Sequence, residues 1–149
     1  PKRDVVPARR HNNRMTKFIK FWLPVIICMG FIFYVSSIPA SKIPPLFPFQ
    51  DIIFHLFVYS ILSLFFARAL KNTYGGLTPS KIILLTLIFG VFYGMTDEIH
   101  QASVPYRNAS GFDVLIDGIG SFAGSLIYPV RKKFSCGGRL SNGVNRWLR

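Results

Sequence analysis

The sequence predicts an all-α, polytopic membrane protein, a bundle of four transmembrane helices joined by short loops with both termini in the cytoplasm. Half of the 149 residues are hydrophobic and the mean hydropathy is +0.36, which is high for a soluble domain. The apolar residues form long blocks without an amphipathic period, as transmembrane helices do. Lys and Arg are concentrated at the two ends and in one middle loop, the distribution that orients membrane helices.

The formal net charge of +12 is also compatible with nucleic-acid binding. However, the basic residues form no face with interleaved aromatic residues, which a nucleic-acid surface would show. Orientation of membrane helices explains their positions better. The expected partner is therefore a lipid bilayer, and nucleic acid is excluded as a partner.

The first helix is predicted over residues 21–41, a stretch without charge. Residues 1–20 before it are basic, and we expect them to form a flexible cytoplasmic arm. Pro24 is tolerated in the first turns, and the SSIP sequence at residues 36–39 ends the helix. A cleaved secretory signal peptide is the rival interpretation. We favour a helix, because the apolar run is long and further hydrophobic segments follow it.

The second and third helices are predicted over residues 51–70 and 79–99. Residues 39–50, which hold four prolines, form a short rigid connection before the second helix. Both helices have fewer than the roughly 20 residues without Asp, Glu, Lys or Arg that a crossing needs. The shortage places Asp51, and still more His55, at or below the level of the lipid headgroups.

The fourth helix is predicted over residues 111–130, after a polar loop that contains Arg107. Residues 21–130 thus form one membrane domain, and residues 131–149 form a basic, disordered cytoplasmic tail. The arm, the middle loop and the tail hold nearly all the Lys and Arg residues. The positive-inside rule therefore places both termini in the cytoplasm.

Ionisable residues gather at the ends of the predicted helices that face away from the cytoplasm. Charged groups are costly at membrane depth, so by default they mark a functional site. Small residues on the same helix faces allow close approach and turn the polar stripes inward. The candidate catalytic residues are Asp51, His55, Asp97, Glu98, His100, Asp113 and Asp117. The candidate substrate-binding residues are Tyr59, Tyr93, Gln101 and Arg107.

Carboxylates beside histidines suit general acid–base catalysis, and the same groups can bind a divalent cation. Their spacing matches no specific metal motif, so a metal cofactor stays open. Arg107 is suited to hold a phosphate or a carboxylate bidentately. The structural alternative is that the acids pair with His55, His100 and Arg107 and lock the helices together. We favour a functional cluster, because structural pairing would not need five acids against so few bases.

Several motifs follow one another along the chain in a fixed order. They are Ser36-Ser37-Ile38-Pro39, Asp51-x3-His55-x3-Tyr59, Tyr93-Gly94-x2-Asp97-Glu98-x-His100-Gln101, Val104-Pro105-x-Arg107, Asp113-x3-Asp117-x2-Gly120 and Gly124. With these motifs the chain resembles the VanZ-like family of membrane proteins over roughly residues 21–130. Ile52 departs from the family pattern, since family members often carry Lys at this position.

The resemblance implies a multi-pass protein of the bacterial cytoplasmic membrane that is associated with the cell envelope. It also implies antibiotic resistance, as lower susceptibility to lipoglycopeptides such as teicoplanin, through a polar site at the outer membrane face. The alternative is a membrane-embedded enzyme that acts on a lipid or lipid-linked envelope substrate by acid–base or metal-assisted chemistry. A proton- or ion-coupled transporter is a third hypothesis, and the gathering of the acids at one face disfavours it.

Overall fold

The structure, a computed structural model, describes residues 9–44 and 46–136, with side chains for 15–44 and 46–127. All its regular elements are helical, as predicted. The α-helices are α1 (Arg9–Ser36), α2 (Gln50–Thr73), α3 (Pro79–Gln101) and α4 (Gly111–Cys136), and a short 3-10 helix (Ala40–Lys42) lies in the first loop.

The first and last helices are longer than predicted. α1 begins at Arg9, so residues 9–20 of the predicted flexible arm are helical. This stretch contains neither Pro nor Gly, and a helix propagates readily into such a sequence once the apolar segment has nucleated it. α4 continues to Cys136, into the predicted tail. The remainder of the predicted arm (1–8) and tail (137–149) lies outside the described residues.

Three helices of the described part are long and apolar enough to cross a membrane. They are Met15–Ser36, Gln50–Thr73 and Pro79–Gln101. Their outward surfaces carry large exposed hydrophobic side chains such as Ile26, Phe57 and Phe92, which a bilayer would cover. The chain is therefore a membrane protein. A crossing by α4 and the cytoplasmic position of the termini remain predictions.

α2 and α4 approach each other closely through two glycines. A Cβ atom on Gly120 would lie 2.5 Å from the carbonyl oxygen of Leu56, and one on Gly124 would collide with the carbonyl oxygen of Ser60. The Ser60 hydroxyl also donates a hydrogen bond to the Gly120 carbonyl oxygen, at 3.0 Å. Backbone contact of this kind is possible only where the side chain is absent. It fixes the register between the first turns of α2 and the first half of α4.

α1 packs against the side of α2 and α3. The Tyr93 hydroxyl of α3 donates to the Met29 carbonyl oxygen of α1 at 2.7 Å, and the Trp22 indole donates to the Thr73 hydroxyl at 2.9 Å. The buried hydrophobic cluster that these contacts border consists of Val25, Ile32, Tyr59, Leu62 and Ala69. This packing brings the end of α1, the start of α2, the end of α3 and the start of α4 to one end of the bundle.

Candidate functional site

A hydrogen bond between α2 and α4 lies at the centre of the candidate site. His55 Nδ1 is 2.9 Å from Asp117 Oδ1, and the side chains are 12% and 0% exposed. When Asp117 is ionised its carboxylate can only accept hydrogen bonds, and Nδ1 is then the donor. In the neutral imidazole, Nε2 then keeps its lone pair for another group.

α3 contributes two neighbouring carboxylates to the same place. Asp97 and Glu98 are each 5% exposed. One donor atom from each of them and one from His55 all lie within 4.8 Å of one another. The start of α2 and the end of α3 lie side by side, because the two helices are antiparallel.

Each of these carboxylates uses one oxygen for a hydrogen bond. Asp97 Oδ2 accepts from Gln101 Nε2 at 3.0 Å, and Glu98 Oε2 accepts from the backbone N–H of Ser110 at 2.7 Å. In the part of the chain that the structure describes, the buried Glu98 Oε1 and Asp117 Oδ2 have no hydrogen-bond partner. An unpaired buried oxygen is costly, so these atoms mark a place for a further group.

Gly94 makes the position of Asp117 possible. A Cβ atom on Gly94 would lie 2.6 Å from Asp117 Oδ2, so any larger residue would press on the carboxylate. One turn deeper, a Cβ on Gly90 would collide with the Ser121 side chain. The two glycines of α3 thus face Asp117 and Ser121 of α4 at the same four-residue spacing.

Buried hydroxyl groups continue the polar interior away from this cluster. The hydroxyls of Tyr59, Ser63, Thr86 and Ser121 are buried and have no hydrogen-bond partner among the described residues. Sequence reasoning missed Ser63 and Thr86, because a single hydroxyl in an apolar helix is common. The signal was present for Ser63, which extends the four-residue spacing of Asp51, His55 and Tyr59.

Arg107 takes a role that the sequence did not predict. Its Nε donates to the Ile38 carbonyl oxygen and its Nη2 to the Val35 carbonyl oxygen, both at 3.1 Å. A cation at the last carbonyls of a helix satisfies their hydrogen-bonding capacity and interacts favourably with the helix dipole. Two of its donors therefore fasten the end of α1, and no described acid forms an ion pair with it.

Tyr93 and Gln101, two candidate binding residues, also hold α1. Tyr93 donates to the backbone of α1, and Gln101 Nε2 lies 3.4 Å from the Ser36 hydroxyl while it also bonds Asp97. The fourth candidate binding residue, Tyr59, stacks on His55 with ring centroids 6.2 Å apart. Of the four predicted binding residues, Tyr59 and Gln101 thus contact the cluster.

Three of the predicted catalytic residues form no hydrogen bond with this cluster. His100 turns toward α1, where Nε2 is 3.0 Å from the Ser37 hydroxyl and the ring stacks on Phe33. Asp51 is exposed and Asp113 is half-buried, and neither carboxylate has a hydrogen bond to a described residue. His55, Asp97, Glu98 and Asp117 are the candidates that the fold brings together, and we name these four the acid cluster.

The acid cluster has the elements of two kinds of chemistry. A histidine oriented by a buried carboxylate is suited to take and return a proton. A histidine and carboxylates with free donor atoms are equally suited to bind a divalent cation. Asp97, Glu98 and Asp117 are buried and His55 is partly buried, and the exclusion of water strengthens the electrostatic interactions within such a site.

Comparison of the sequence with known protein families gives one match. The model of the family described as VanZ/LLP1 matches residues 21–132, which include all the candidate site residues. None of the curated proteins and none of the solved structures is significantly similar to the chain.

Proposed function

This chain belongs to the VanZ-like family, and we propose that it is a membrane-embedded enzyme of the bacterial cell envelope. The substrate is a lipid or a lipid-linked envelope molecule, and the reaction is a hydrolysis or a transfer at an ester or phosphoester bond. The acid cluster faces the outer leaflet, as the distribution of Lys and Arg predicts. One observation carries the proposal: the buried His55–Asp117 pair with two further buried carboxylates beside it.

The proposed reaction needs a group that moves a proton and a group that stabilises developing charge. The cluster removes the proton of a hydroxyl nucleophile, whose oxygen forms a bond to the carbonyl carbon or the phosphorus. The bond to the leaving oxygen breaks, and that oxygen receives the proton. His55, held by Asp117, is the centre of this step, and His100 is not, because its ring is engaged by Ser37 and Phe33.

An apolar groove on the surface of α4 supports a substrate with an acyl chain. The groove has a volume of about 540 Å³ and is lined by one face of α4, from Gly111 to Phe122, and by Val91 of α3. No residue of the acid cluster lines the groove, but Gly118 of its lining directly follows Asp117 in the chain. An acyl chain of the outer leaflet would lie here with its polar end near the cluster.

The effect on teicoplanin susceptibility is, in this proposal, a consequence of a changed envelope. Direct binding of the antibiotic by the cluster is the second candidate function. It fits less well, because Asp97, Glu98 and Asp117 are each at most 5% exposed. A bulky glycopeptide cannot contact groups so deep between helices without opening the bundle.

The test compares the two histidines at the same end of the bundle. The intact chain, His55→Gln and His100→Gln are purified into lipid nanodiscs and incubated with envelope lipids, and the products are identified by mass spectrometry. We expect His55→Gln to lower product formation by about 10²-fold or more, and His100→Gln to retain it. Equal rates for His55→Gln and the intact chain would overturn the proposal.

A second experiment separates the two candidate functions in cells. A Gram-positive host expresses the intact chain, His55→Gln and Asp117→Asn at matched membrane levels, and its susceptibility to teicoplanin and vancomycin is measured. Protection that both substitutions abolish, with a matching change in envelope lipids, supports the enzyme. Protection that both substitutions abolish while the envelope lipids stay unchanged favours direct interaction of the cluster with the antibiotic, and protection that both variants retain overturns a role of the cluster in either function.

A further inference from the structure

The geometry points to a binding site for one divalent transition-metal cation, of the Zn²⁺ or Mn²⁺ class, formed by His55, Asp97 and Glu98. The inference rests on the proposed function for its chemistry and makes that function more specific. With a metal bound, His55 Nε2 would be a ligand and would not take the proton itself. The cation would lower the pKa of the nucleophile that it binds, and a carboxylate of the acid cluster would then take the proton and pass it to the leaving oxygen.

The distances among the three residues suit a shared ion. Because their donor atoms lie within 4.8 Å of one another, a point exists at most about 2.8 Å from each, and Zn²⁺ binds such atoms at roughly 2.0–2.2 Å. A shift of less than about 1 Å by each side chain therefore closes the site around a cation.

Every one of the three residues has one atom fixed by a neighbour and one atom left for the ion. Asp117 holds His55 Nδ1, Gln101 holds Asp97 Oδ2, and the backbone N–H of Ser110 holds Glu98 Oε2. We infer that the other atom of each residue, namely His55 Nε2, Asp97 Oδ1 and Glu98 Oε1, binds the ion. Outer partners of this kind orient the ligands in known metal sites, where a carboxylate typically holds the second nitrogen of a ligating histidine.

The unpaired oxygen of Glu98 is an independent sign of a missing ligand. Glu98 is 5% exposed, and its Oε1 is buried without a hydrogen-bond partner among the described residues. Burial of a carboxylate oxygen without a partner is costly. A divalent cation would satisfy this oxygen and would balance the negative charge of the carboxylates around it.

The ligand types select the class of metal. An imidazole with two carboxylates suits Zn²⁺ or Mn²⁺, whereas Mg²⁺ and Ca²⁺ prefer oxygen ligands alone. Three protein ligands leave at least one coordination position for water or substrate, as in catalytic sites. A cation bound there polarises a carbonyl or phosphoryl oxygen, which is the assistance that the proposed reaction requires.

The binding test uses the full chain without an oligohistidine tag, purified in detergent and treated with a chelator. Zn²⁺ and Mn²⁺ are titrated separately by calorimetry, and bound metal is counted by mass spectrometry after dialysis. We expect one ion per chain. Asp97→Asn and Glu98→Gln remove ligand charge and should weaken binding at least about 100-fold, and Asp117→Asn, which loosens His55, about 10–100-fold.

Asp51→Asn is the matched control, since Asp51 is an exposed acid one turn from His55 on the same helix. It should bind the ion as the intact chain does. A chelated intact chain that binds no stoichiometric ion overturns the site, whether or not the variants fold. Folded Asp97→Asn and Glu98→Gln variants with undiminished affinity overturn it as well.

The activity measurement then distinguishes a failure of the metal site from a failure of the proposed enzymatic function. Loss of product formation on chelation, with recovery on addition of one ion per chain, supports the metal site. Product formation that survives chelation, yet is lost in His55→Gln, overturns the metal site and leaves the acid–base form of the proposed function intact.

Discussion

The two ends of the bundle are joined by different kinds of contact. At the aromatic end, which consists of Phe18, Phe21, Trp22, Phe66 and Arg68, rings pack on rings. Phe18 and Trp22 stack at 5.6 Å, Trp22 meets Phe66 edge-on at 5.7 Å, and the Arg68 guanidinium lies 5.2 Å from the Phe21 ring centroid. At the opposite end, the acid cluster and the residues that fasten α1 are polar.

This difference indicates what the acid cluster is for. The aromatic end shows that this chain can join its helices without any buried acid. At the other end, Tyr93, Arg107 and Gln101 already fasten α1, and none of them is an acid. Glu98 and Asp117 instead keep unpaired buried oxygens, which is a poor way to stabilise a bundle. The comparison favours function over structural pairing for the cluster.

The largest effect is expected where the glycines of α4 meet the backbone of α2. Gly124→Ala places a Cβ against the Ser60 carbonyl oxygen, and neither backbone can move without separating the helices. We expect the free energy of unfolding to fall by about 3 kcal/mol, with loss of function as His55 and Asp117 separate. Unfolding by sodium dodecyl sulfate in mixed micelles, followed by far-UV circular dichroism, measures it.

Gly30→Ala is the control for that substitution. Gly30 lies inside α1 with nothing within 4 Å of an added Cβ, so alanine should raise helix stability by up to about 1 kcal/mol. If Gly124→Ala were as stable as Gly30→Ala, the close approach of α2 and α4 would be wrong. The arrangement of the acid cluster would then need revision.

The second-largest effect is expected at Arg107, in the polar end of the bundle. Arg107→Gln removes two hydrogen bonds from a charged donor to the end of α1, and we expect a loss of about 2 kcal/mol in the free energy of unfolding. Arg107→Lys keeps the charge but not the two-pronged geometry, so it should recover only part of the loss. Unchanged stability with lost product formation would instead favour the anion-binding role predicted from the sequence.

Much of the fold could be predicted from the sequence. The four helices follow from uncharged blocks separated by Pro and Gly, and the start of α3 at Pro79 and of α4 at Gly111 agrees with the prediction. The predicted start of α1 at residue 21 was wrong, because the charged residues before it were taken to lie outside the helix. Charge marks where a membrane ends, and a helix can continue beyond that level into water.

The candidate site was less predictable than the fold. The four-residue spacing of Asp51, His55 and Tyr59 predicted an inward stripe. In the structure His55 meets Asp117 and Tyr59 is buried, whereas Asp51 is exposed. That His100 faces α1 could not be predicted, since the rotation of a helix depends on its neighbours as well as its own pattern. Arg107 is the same case: its partners are backbone carbonyls, which carry no sequence signal.

At the aromatic end a smaller effect is expected. Trp22→Phe removes the 2.9 Å hydrogen bond to Thr73 but keeps a ring in place, so the free energy of unfolding should fall by about 1 kcal/mol. Thr73→Val, which removes the acceptor, should cost a similar amount, and the double variant should cost less than the sum. Product formation should not change. A change would mean that the aromatic end takes part in function.

The smallest effect is expected between the two ends, and its sign is opposite. The Thr86 hydroxyl is fully buried without a partner among the described residues, and Thr86→Val replaces it with a methyl group of similar size. Because an unpaired buried hydroxyl is costly, the free energy of unfolding should rise by up to about 1 kcal/mol. Thr96→Val is the control, since the Thr96 hydroxyl is bonded to the Tyr93 carbonyl oxygen at 2.7 Å and its loss brings no such gain. A fall in stability for Thr86→Val would contradict this expectation and would show that the Thr86 hydroxyl has a hydrogen-bond partner in the folded protein.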